Sequence, residues 1–216
     1  MFAIMRSHLM KIFKALLYEN RKTKMSYKIP KKIVLIAAST GGPGQIEKII
    51  KALPKLNDTS IVIAQHMVVG FMDSFAKRLN EDPTNNIFVA NDKTYLESSG
   101  IYVCSGSTRV SRDSNGIIFD KKDSNINSFN PDINYVFNSF LPFTKEIEIL
   151  SVILTGIGAD GIEACKALQE KGSSCLTESQ ESAIVDGMPS RARKEIKDVK
   201  VLDIKEIIEV IREFCS

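Results

Sequence analysis

Three segments of the sequence carry side chains that could together perform nucleophilic catalysis. The first contains Ser39, the second His66 and the third Asp160. A serine nucleophile usually needs a base of near-neutral pKa, which histidine supplies, and a carboxylate can hold that histidine in the required tautomer. The chain has two histidines, His8 in a basic N-terminal stretch and His66. If the chain is a Ser–His enzyme, His66 is therefore the predicted base.

The segment around Ser39 has the features of a nucleophile turn. Residues 37–41 read AASTG, which departs from the G-x-S-x-G nucleophile elbow only at the first position. A turn of this kind between a strand and a helix exposes the hydroxyl, and nearby backbone N–H groups can stabilise an oxyanion. The other interpretation is that Ser39 or Thr40 only caps the helix that follows. The position of His66, at the end of a second predicted strand, favours the nucleophile.

The segment around Asp160 supports two interpretations. Residues 156–161 read GIGADG between a predicted strand and a predicted helix, so Asp160 at the helix start could orient His66, or could simply suit the helix dipole. The same residues match the dinucleotide fingerprint G-x-G-x-x-G, and Glu178 lies about where a ribose-binding acid would fall. A carboxylate at the helix N-terminus would oppose a pyrophosphate, which argues against nucleotide binding.

Strands and helices alternate along most of the chain. Continuous apolar strands are predicted over 32–38, 60–64, 150–154, 174–177 and 199–204, and helices over 43–53, 71–79, 132–141, 160–170 and 205–214. This alternation predicts an α/β fold, a three-layer, doubly wound, mainly parallel sheet. Ligands of such folds bind beyond the carboxyl ends of the strands, where Ser39, His66 and Asp160 are predicted to lie.

The middle of the chain has a different pattern and carries none of the three candidate side chains. Short segments at 87–90, 101–105 and 116–120 are separated by turn-forming residues, which predicts β-hairpins at the edge of the sheet. A polar loop over 121–130 follows. Pro131 is then expected to open the next helix, because its fixed φ and missing N–H suit a first turn.

Composition restricts the class of protein. The chain has 216 residues, 44% hydrophobic and 25% charged, which fits one globular domain. No apolar run approaches the ~20 residues of a membrane span, and no secretory core with a cleavage site is present, so we expect a cytoplasmic protein without membrane insertion. The four cysteines are too widely spaced for a zinc site or a disulfide framework, and we expect no metal or other cofactor.

The first 32 residues are strongly basic. They hold nine Lys or Arg and one acid, Glu19, a local charge of +8, whereas the other residues hold 20 basic and 25 acidic side chains, or −5. We therefore divide the chain into a basic leader or linker, residues 1–30, and a catalytic domain, residues 31–216. A basic segment is attracted to anionic surfaces, but such runs are more often solvated tails.

Four separated blocks of the chain, taken in order, resemble one known family. They read IAASTGGPGQIEKIIKALP, IVIAQHMVVGFMDSFAKRLN, VILTGIGADGIEACKAL and ESAIVDGMPSRA. From about Ile33 to the C-terminus the chain closely resembles the catalytic domain of chemotaxis protein-glutamate methylesterases (CheB). In that family the serine of STGG, the histidine of QHM and the aspartate of G-x-G-x-D-G form a catalytic triad. The resemblance thus assigns the triad to Ser39, His66 and Asp160.

The resemblance also implies an activity and a partner. Members of the family hydrolyse glutamate γ-methyl esters on the cytoplasmic helices of chemoreceptors, releasing methanol, and many also deamidate receptor glutamines. The implied partners are therefore methylated receptor helices and not nucleic acid. Backbone N–H groups near Ile157 and in the serine turn, at Thr40 and Gly41, are the candidates for the oxyanion hole.

The sequence departs from the family pattern at several places. Only about 30 residues precede the catalytic part, so we expect no phosphorylation-controlled receiver domain. Ile157 replaces the usual methionine, and residues 127–134 and 104–109 lack motifs common in the family. These changes leave the triad intact but leave the receptors, the glutamate sites and the deamidase activity open. The alternatives are a nucleotide-binding module and a receptor-binding module without catalysis.

Overall fold

The computed structural model describes residues 26–68, 70–81, 84–106, 108–121 and 130–216. The predictions for the basic leader up to residue 25 and for the polar loop over 122–129 lie outside these ranges. Ten strands occur within them: β1 Lys32–Ala38, β2 Thr59–Gln65, β3 Asn86–Ala90, β4 Thr94–Tyr95, β5 Gly100–Cys104, β6 Thr108–Arg112, β7 Ile117–Lys121, β8 Glu148–Ile153, β9 Ser174–Glu178 and β10 Lys200–Leu202.

Seven of these strands form one parallel sheet, in the order β10-β9-β8-β1-β2-β5-β3. The central strand β1 is buried on both faces because its residues are apolar almost without interruption. Ile33, Leu35 and Ala37 belong to the core on one face, whereas Val34, Ile36 and Ala38 belong to the core on the other. This alternation is the two-residue period of a strand placed between two layers of helices.

Six α-helices cover the two faces of the parallel sheet. They are α1 Gly42–Ala52, α2 Met72–Leu79, α3 Ile133–Asn138, α4 Ile162–Glu170, α5 Gly187–Glu195 and α6 Ile204–Cys215, with a 3-10 turn at Leu141–Phe143. Apolar residues of α1, α2 and α6 pack on one face, and those of α3, α4 and α5 pack on the other. The predicted three-layer, mainly parallel α/β fold is confirmed.

Two helix boundaries differ by more than one residue from the prediction, and helix α5 was not predicted. The helix predicted from Asp160 begins at Ile162, because Gly161 adopts a left-handed φ of 89° at the N-cap. Asp160 therefore lies in the loop before the helix. Its side chain does not have to follow the direction of the helix. The helix predicted over 132–141 ends at Asn138, and the chain continues as the short 3-10 turn.

The middle of the chain pairs differently from the prediction. β3 and β5 are not hairpin strands: they pair in parallel, from Asn86 opposite Gly100 to Ala90 opposite Cys104, and they extend the main sheet. The hairpin is formed by β6 and β7, which join β4 in a separate three-stranded antiparallel sheet. Short apolar segments give the same sequence signal in either arrangement, because non-local contacts select the pairing partner.

No helix in the described ranges is long and apolar enough to cross a membrane. Cys104, Cys165, Cys175 and Cys215 are buried free thiols.

Candidate active site

The sheet order brings the three predicted side chains to one edge. β8, β1 and β2 are neighbours and run in the same direction, so their carboxyl ends meet. Ser39 directly follows β1, His66 directly follows β2, and Asp160 lies in the loop between β8 and α4. The switch in strand order at β1 therefore creates the crevice in which doubly wound folds bind ligands.

Hydrogen bonds connect the three side chains in series. His66 Nδ1 lies 3.3 Å from Ser39 Oγ, and His66 Nε2 lies 2.8 Å from Asp160 Oδ2. An ionised carboxylate only accepts, so Nε2 carries the proton and Nδ1 keeps a lone pair for the serine hydroxyl. The ring nitrogens exchange the positions they have in the familiar triad, where Nε2 faces the serine. The hydrogen-bonding roles are the same, because one ring nitrogen donates to the carboxylate and the other can accept from the serine hydroxyl.

Backbone N–H groups of α3 hold the carboxylate of Asp160. Ile133 N donates to Oδ2 at 2.8 Å and Asn134 N donates to Oδ1 at 3.0 Å. Burial would raise the pKa of Asp160, but the hydrogen bond with His66 and these two backbone bonds outweigh it and lower the pKa below 3.8. Asp160 is therefore an anion at neutral pH, which is the state that orients His66.

Main-chain bonds determine the position of Ser39 and of His66. Ser39 N donates to Thr155 O at 3.0 Å, and His66 N donates to Ala38 O at 2.9 Å. The carbonyl of Ser39 accepts from Gly42 N at 2.9 Å and from Gln65 Nε2 at 2.9 Å. The hydroxyl of Ser39 has His66 as its only partner within the described residues. The backbone is thus fixed while the hydroxyl stays available.

A glycine lies directly against the serine. A Cβ built on Gly156 would stand 2.7 Å from Ser39 Cβ, 3.1 Å from Ser39 N and 2.4 Å from Met188 Sδ. The methionine sulfur could move, but the serine backbone is held by its own hydrogen bonds. Any side chain at position 156 would therefore displace Ser39.

We expect Gly156→Ala to slow reactions at Ser39 by about 100-fold, because a displacement of about 1 Å costs that much in rate. The measurement is the rate at which a fluorophosphonate reagent labels Ser39, followed by mass spectrometry. Gly44→Ala is the matched control: a Cβ on Gly44 meets nothing within 4 Å, and alanine suits its place in α1. Equal labelling of Gly156→Ala and wild type would contradict the prediction.

Thr155 joins the serine turn to the loop after β9. Its hydroxyl donates to Thr40 O at 2.9 Å and accepts from Val185 N at 2.8 Å. Its N–H donates to Glu178 Oε2 at 2.9 Å. Both Thr155 and Glu178 are fully buried. The network therefore ties three strand ends, those of β1, β8 and β9, into one rigid unit.

Thr155→Val is expected to lower the free energy of unfolding by about 1–3 kcal/mol, because it leaves the part-buried N–H of Val185 without its acceptor. Urea unfolding measures this change. Thr155→Ser keeps the hydroxyl and is expected to lose less than Thr155→Val. If the serine variant were the less stable of the two, packing of the methyl group rather than hydrogen bonding would be the main contribution of Thr155.

The predicted oxyanion residues lie on two sides of the serine. Thr40 and Gly41 form the turn after Ser39, and Ile157 follows the glycine that packs on Ser39. In the part of the chain that the structure describes, the N–H groups of Thr40 and Ile157 have no hydrogen-bond acceptor. The carbonyl of Thr40 accepts a hydrogen bond from the hydroxyl of Thr155. This bond fixes the orientation of the peptide plane between Thr40 and Gly41.

Glu178 has a different environment from the one that nucleotide binding would require. Its carboxylate is fully buried and accepts from Gln45 Nε2 at 2.6 Å, Ser182 Oγ at 2.8 Å and Thr155 N. The carboxylate is therefore not available to a ribose. Its hydrogen bonds indicate a structural role in place of nucleotide binding. Across the described ranges, no group of three or more His, Cys, Asp or Glu side chains could hold a metal ion.

The family model for CheB methylesterase matches residues 34–211, which include all three side chains of the crevice. The chain belongs to the CheB methylesterase family. The crystal structure of the Thermotoga maritima CheB methylesterase catalytic domain is similar in fold, with a TM-score of 0.77 and 30% sequence identity. The similarity covers 86% of this chain and 99% of that one, so the whole catalytic domain is matched.

Curated CheB relatives carry the name protein-glutamate methylesterase/protein-glutamine glutaminase. One from Caldanaerobacter subterraneus subsp. tengcongensis is 34% identical over 81% of this chain and 48% of its own length. Another from Clostridium acetobutylicum is 33% identical over 83% of this chain and 53% of its own length. The chain therefore spans about half the length of the curated relatives it matches.

Several residues that shape this CheB site gave no usable sequence signal. Ile133 and Asn134 act on Asp160 through their N–H groups, which every residue except proline has. Thr155 looks like an ordinary strand-end residue, and the signal at Glu178 indicated ribose binding, a role that its complete burial excludes. Asn130 is a similar case: its carbonyl accepts from Met67 N, beside His66.

Proposed function

We propose that this chain is a protein-glutamate methylesterase in which Ser39 is the nucleophile, His66 the general base and Asp160 the residue that orients it. The observation that carries the proposal is the continuous series of contacts, 3.3 Å from Ser39 to His66 and 2.8 Å from His66 to Asp160. Membership of the CheB family supplies the substrate class, a glutamate γ-methyl ester in a polypeptide. We assign this activity to residues 31–216.

In the first half of the reaction Ser39 Oγ attacks the ester carbonyl while its proton passes to His66 Nδ1. The imidazolium that forms is stabilised by the anionic carboxylate of Asp160. The tetrahedral intermediate then collapses, and the Nδ1 proton leaves with the methoxy group as methanol. An acyl-enzyme ester between Ser39 and the glutamate side chain remains.

In the second half water attacks the acyl-enzyme, and His66 Nδ1 accepts the proton of that water. Collapse of the second intermediate returns the proton to Ser39 Oγ and releases the glutamate carboxylate. The N–H groups of Thr40 and Ile157 are the proposed donors to the oxyanion in both halves. Their lack of acceptors within the described chain supports this role, since no bond has to break before they bind the substrate.

We extend the proposal to deamidation, because the same steps on a glutamine release ammonia in place of methanol. The names of the curated relatives include both activities. The proposed partners are the methylated cytoplasmic helices of chemoreceptors, which places the protein in the cytoplasm. The two activities share one nucleophile, so a variant that loses the first has to lose the second.

The test measures methanol released from a peptide that contains one glutamate γ-methyl ester, and ammonia released from the matching glutamine peptide. We expect methanol release in proportion to enzyme concentration, and a transient acyl-enzyme of matching mass on Ser39 after rapid acid quenching. A folded protein that releases no methanol from the peptide or from methylated receptor membranes would contradict the proposal. Acylation at a residue other than Ser39 would contradict the assigned nucleophile.

A further inference from the structure

Among the described residues, the large apolar side chains most exposed to solvent follow the strands that carry the proposed active site, or neighbours of those strands. Six large apolar side chains are exposed among the described residues, and the four most exposed, at 63% to 72%, are Val68, Phe71, Ile157 and Ile184. Val68 and Phe71 follow β2, Ile157 follows β8 and Ile184 follows β9. All four therefore follow the carboxyl ends of strands of the parallel sheet, as Ser39 does. We call these four residues the apolar rim.

Ile184 is held beside the serine turn by its neighbours. The N–H of Val185 donates to Thr155 Oγ1 at 2.8 Å, and the carbonyl of Val185 accepts from Gly156 N at 3.0 Å. A Cβ built on Gly41 would lie 2.8 Å from Ile184 Cβ, so this side chain already touches the turn. Ile184 is therefore exposed although the backbone of its loop is held in place by hydrogen bonds.

The other rim residues lie on both sides of the nucleophile. Ile157 follows Gly156, whose Cα packs against Ser39. Val68 lies shortly after His66, the residue that contacts Ser39 Oγ from the opposite direction along the sheet. The rim thus borders Ser39 on the β8–β9 side and on the β2 side. A polypeptide that places a side-chain ester at Ser39 is therefore expected to lie close to the rim.

We propose that the apolar rim selects substrates by binding apolar side chains that flank the esterified glutamate in the polypeptide chain. The inference rests on the proposed function, because an ester bound at Ser39 is what brings its flanking residues onto the rim. Exposed apolar surface that is grouped in this way marks a site of interaction, since its removal from water is favourable. Flanking leucine or similar residues would bury the rim, whereas flanking polar residues would not.

The test compares three substrates: a peptide with one glutamate γ-methyl ester flanked by leucines, the same peptide flanked by serines, and the amide of N-acetylglutamate γ-methyl ester. The rim variants are Phe71→Ser and Ile184→Ser, and serine suits Phe71 because it is the N-cap of α2. The matched controls are Phe88→Ser and Val201→Ser. These two residues are exposed at 44% and 43% on the outermost strands β3 and β10.

We expect wild type to prefer the leucine-flanked peptide by about tenfold in kcat/KM, the effect of burying one further apolar side chain. Each rim variant is expected to lose most of that preference, while both control variants keep it. Equal hydrolysis of the two peptides by wild type would overturn the inference, as would full preference in the rim variants. A dimer that Phe71→Ser dissociates without changing the preference would also overturn it, because the rim would then bind a second copy.

The small ester separates this inference from the proposed function. If wild type cleaves it and Ser39→Ala does not, the esterase proposal stands whatever the peptides show, and an absent preference refutes the role of the rim alone. If wild type cleaves none of the three substrates, the proposed function fails and the inference fails with it.

Discussion

Ser39→Ala is expected to lower kcat for glutamate methyl ester hydrolysis by about 10⁶-fold, the loss typical of removing a serine nucleophile that acts as a unit with its base. In the proposed mechanism this hydroxyl forms the acyl-enzyme, and it lies 3.3 Å from His66 Nδ1. The measurement is methanol release from the esterified peptide under saturating conditions. Burst-phase kinetics should show no acyl-enzyme in the variant.

The same substitution is expected to leave the fold unchanged. The hydrogen bonds that position residue 39 come from its N–H and its carbonyl, and alanine keeps both. Thermal unfolding and circular dichroism of the variant should match those of wild type. Ser74→Ala is the control, because Ser74 is a surface serine of α2 whose hydroxyl bonds only to the carbonyl of Phe71 in the described structure. A Ser39→Ala protein with more than a thousandth of wild-type activity would refute Ser39 as the nucleophile.

Asp160→Asn is expected to lower kcat by about 10⁴-fold while the substrate still binds. An amide that presents its NH₂ to His66 Nε2 would require Nε2 to accept, which moves the ring proton to Nδ1. In that tautomer Nδ1 carries a proton, so it faces Ser39 as a hydrogen-bond donor. It cannot accept the proton of the serine hydroxyl. Both amide orientations lose a backbone bond: the first sets the NH₂ against the N–H of Ile133, and the reverse sets it against the N–H of Asn134. The measurement is kcat and KM on the esterified peptide, with Asp203→Asn, which changes the N-cap of α6, as the control.

The lowered pKa of Asp160 also predicts how stability depends on pH. A carboxyl group with a lower pKa in the folded than in the unfolded protein stabilises the fold above its unfolded pKa, and this contribution is lost as the pH falls through the folded value. The difference in unfolding free energy between wild type and Asp160→Asn should therefore shrink as the pH falls below 3.8. A difference that grows as the pH falls below 3.8 would mean that Asp160 is protonated in the native protein.

The three residues of the crevice could be predicted from the sequence because each directly follows, or closely follows, a strongly apolar strand. Parallel strands of one sheet end at one edge, so chemistry at three strand ends implies chemistry at one place. Two further facts helped: His66 is one of only two histidines, and the family resemblance selected the same positions. The positions of β1, β2, β8 and β9 were also predictable. A short continuous apolar run is typical of a strand that is buried on both faces of a parallel sheet.

The tertiary structure decided what these local patterns leave open. Short apolar segments do not encode their partners, so the parallel pairing of β3 with β5 followed from contacts that are distant in sequence. The support of Asp160 comes from the N–H groups of Ile133 and Asn134, and a backbone N–H is the same in almost every residue. The sequence by itself determined which side chains could react. Only the folded chain decided which nitrogen of His66 faces Ser39, because that depends on the directions from which β2 and the loop after β8 approach the ring.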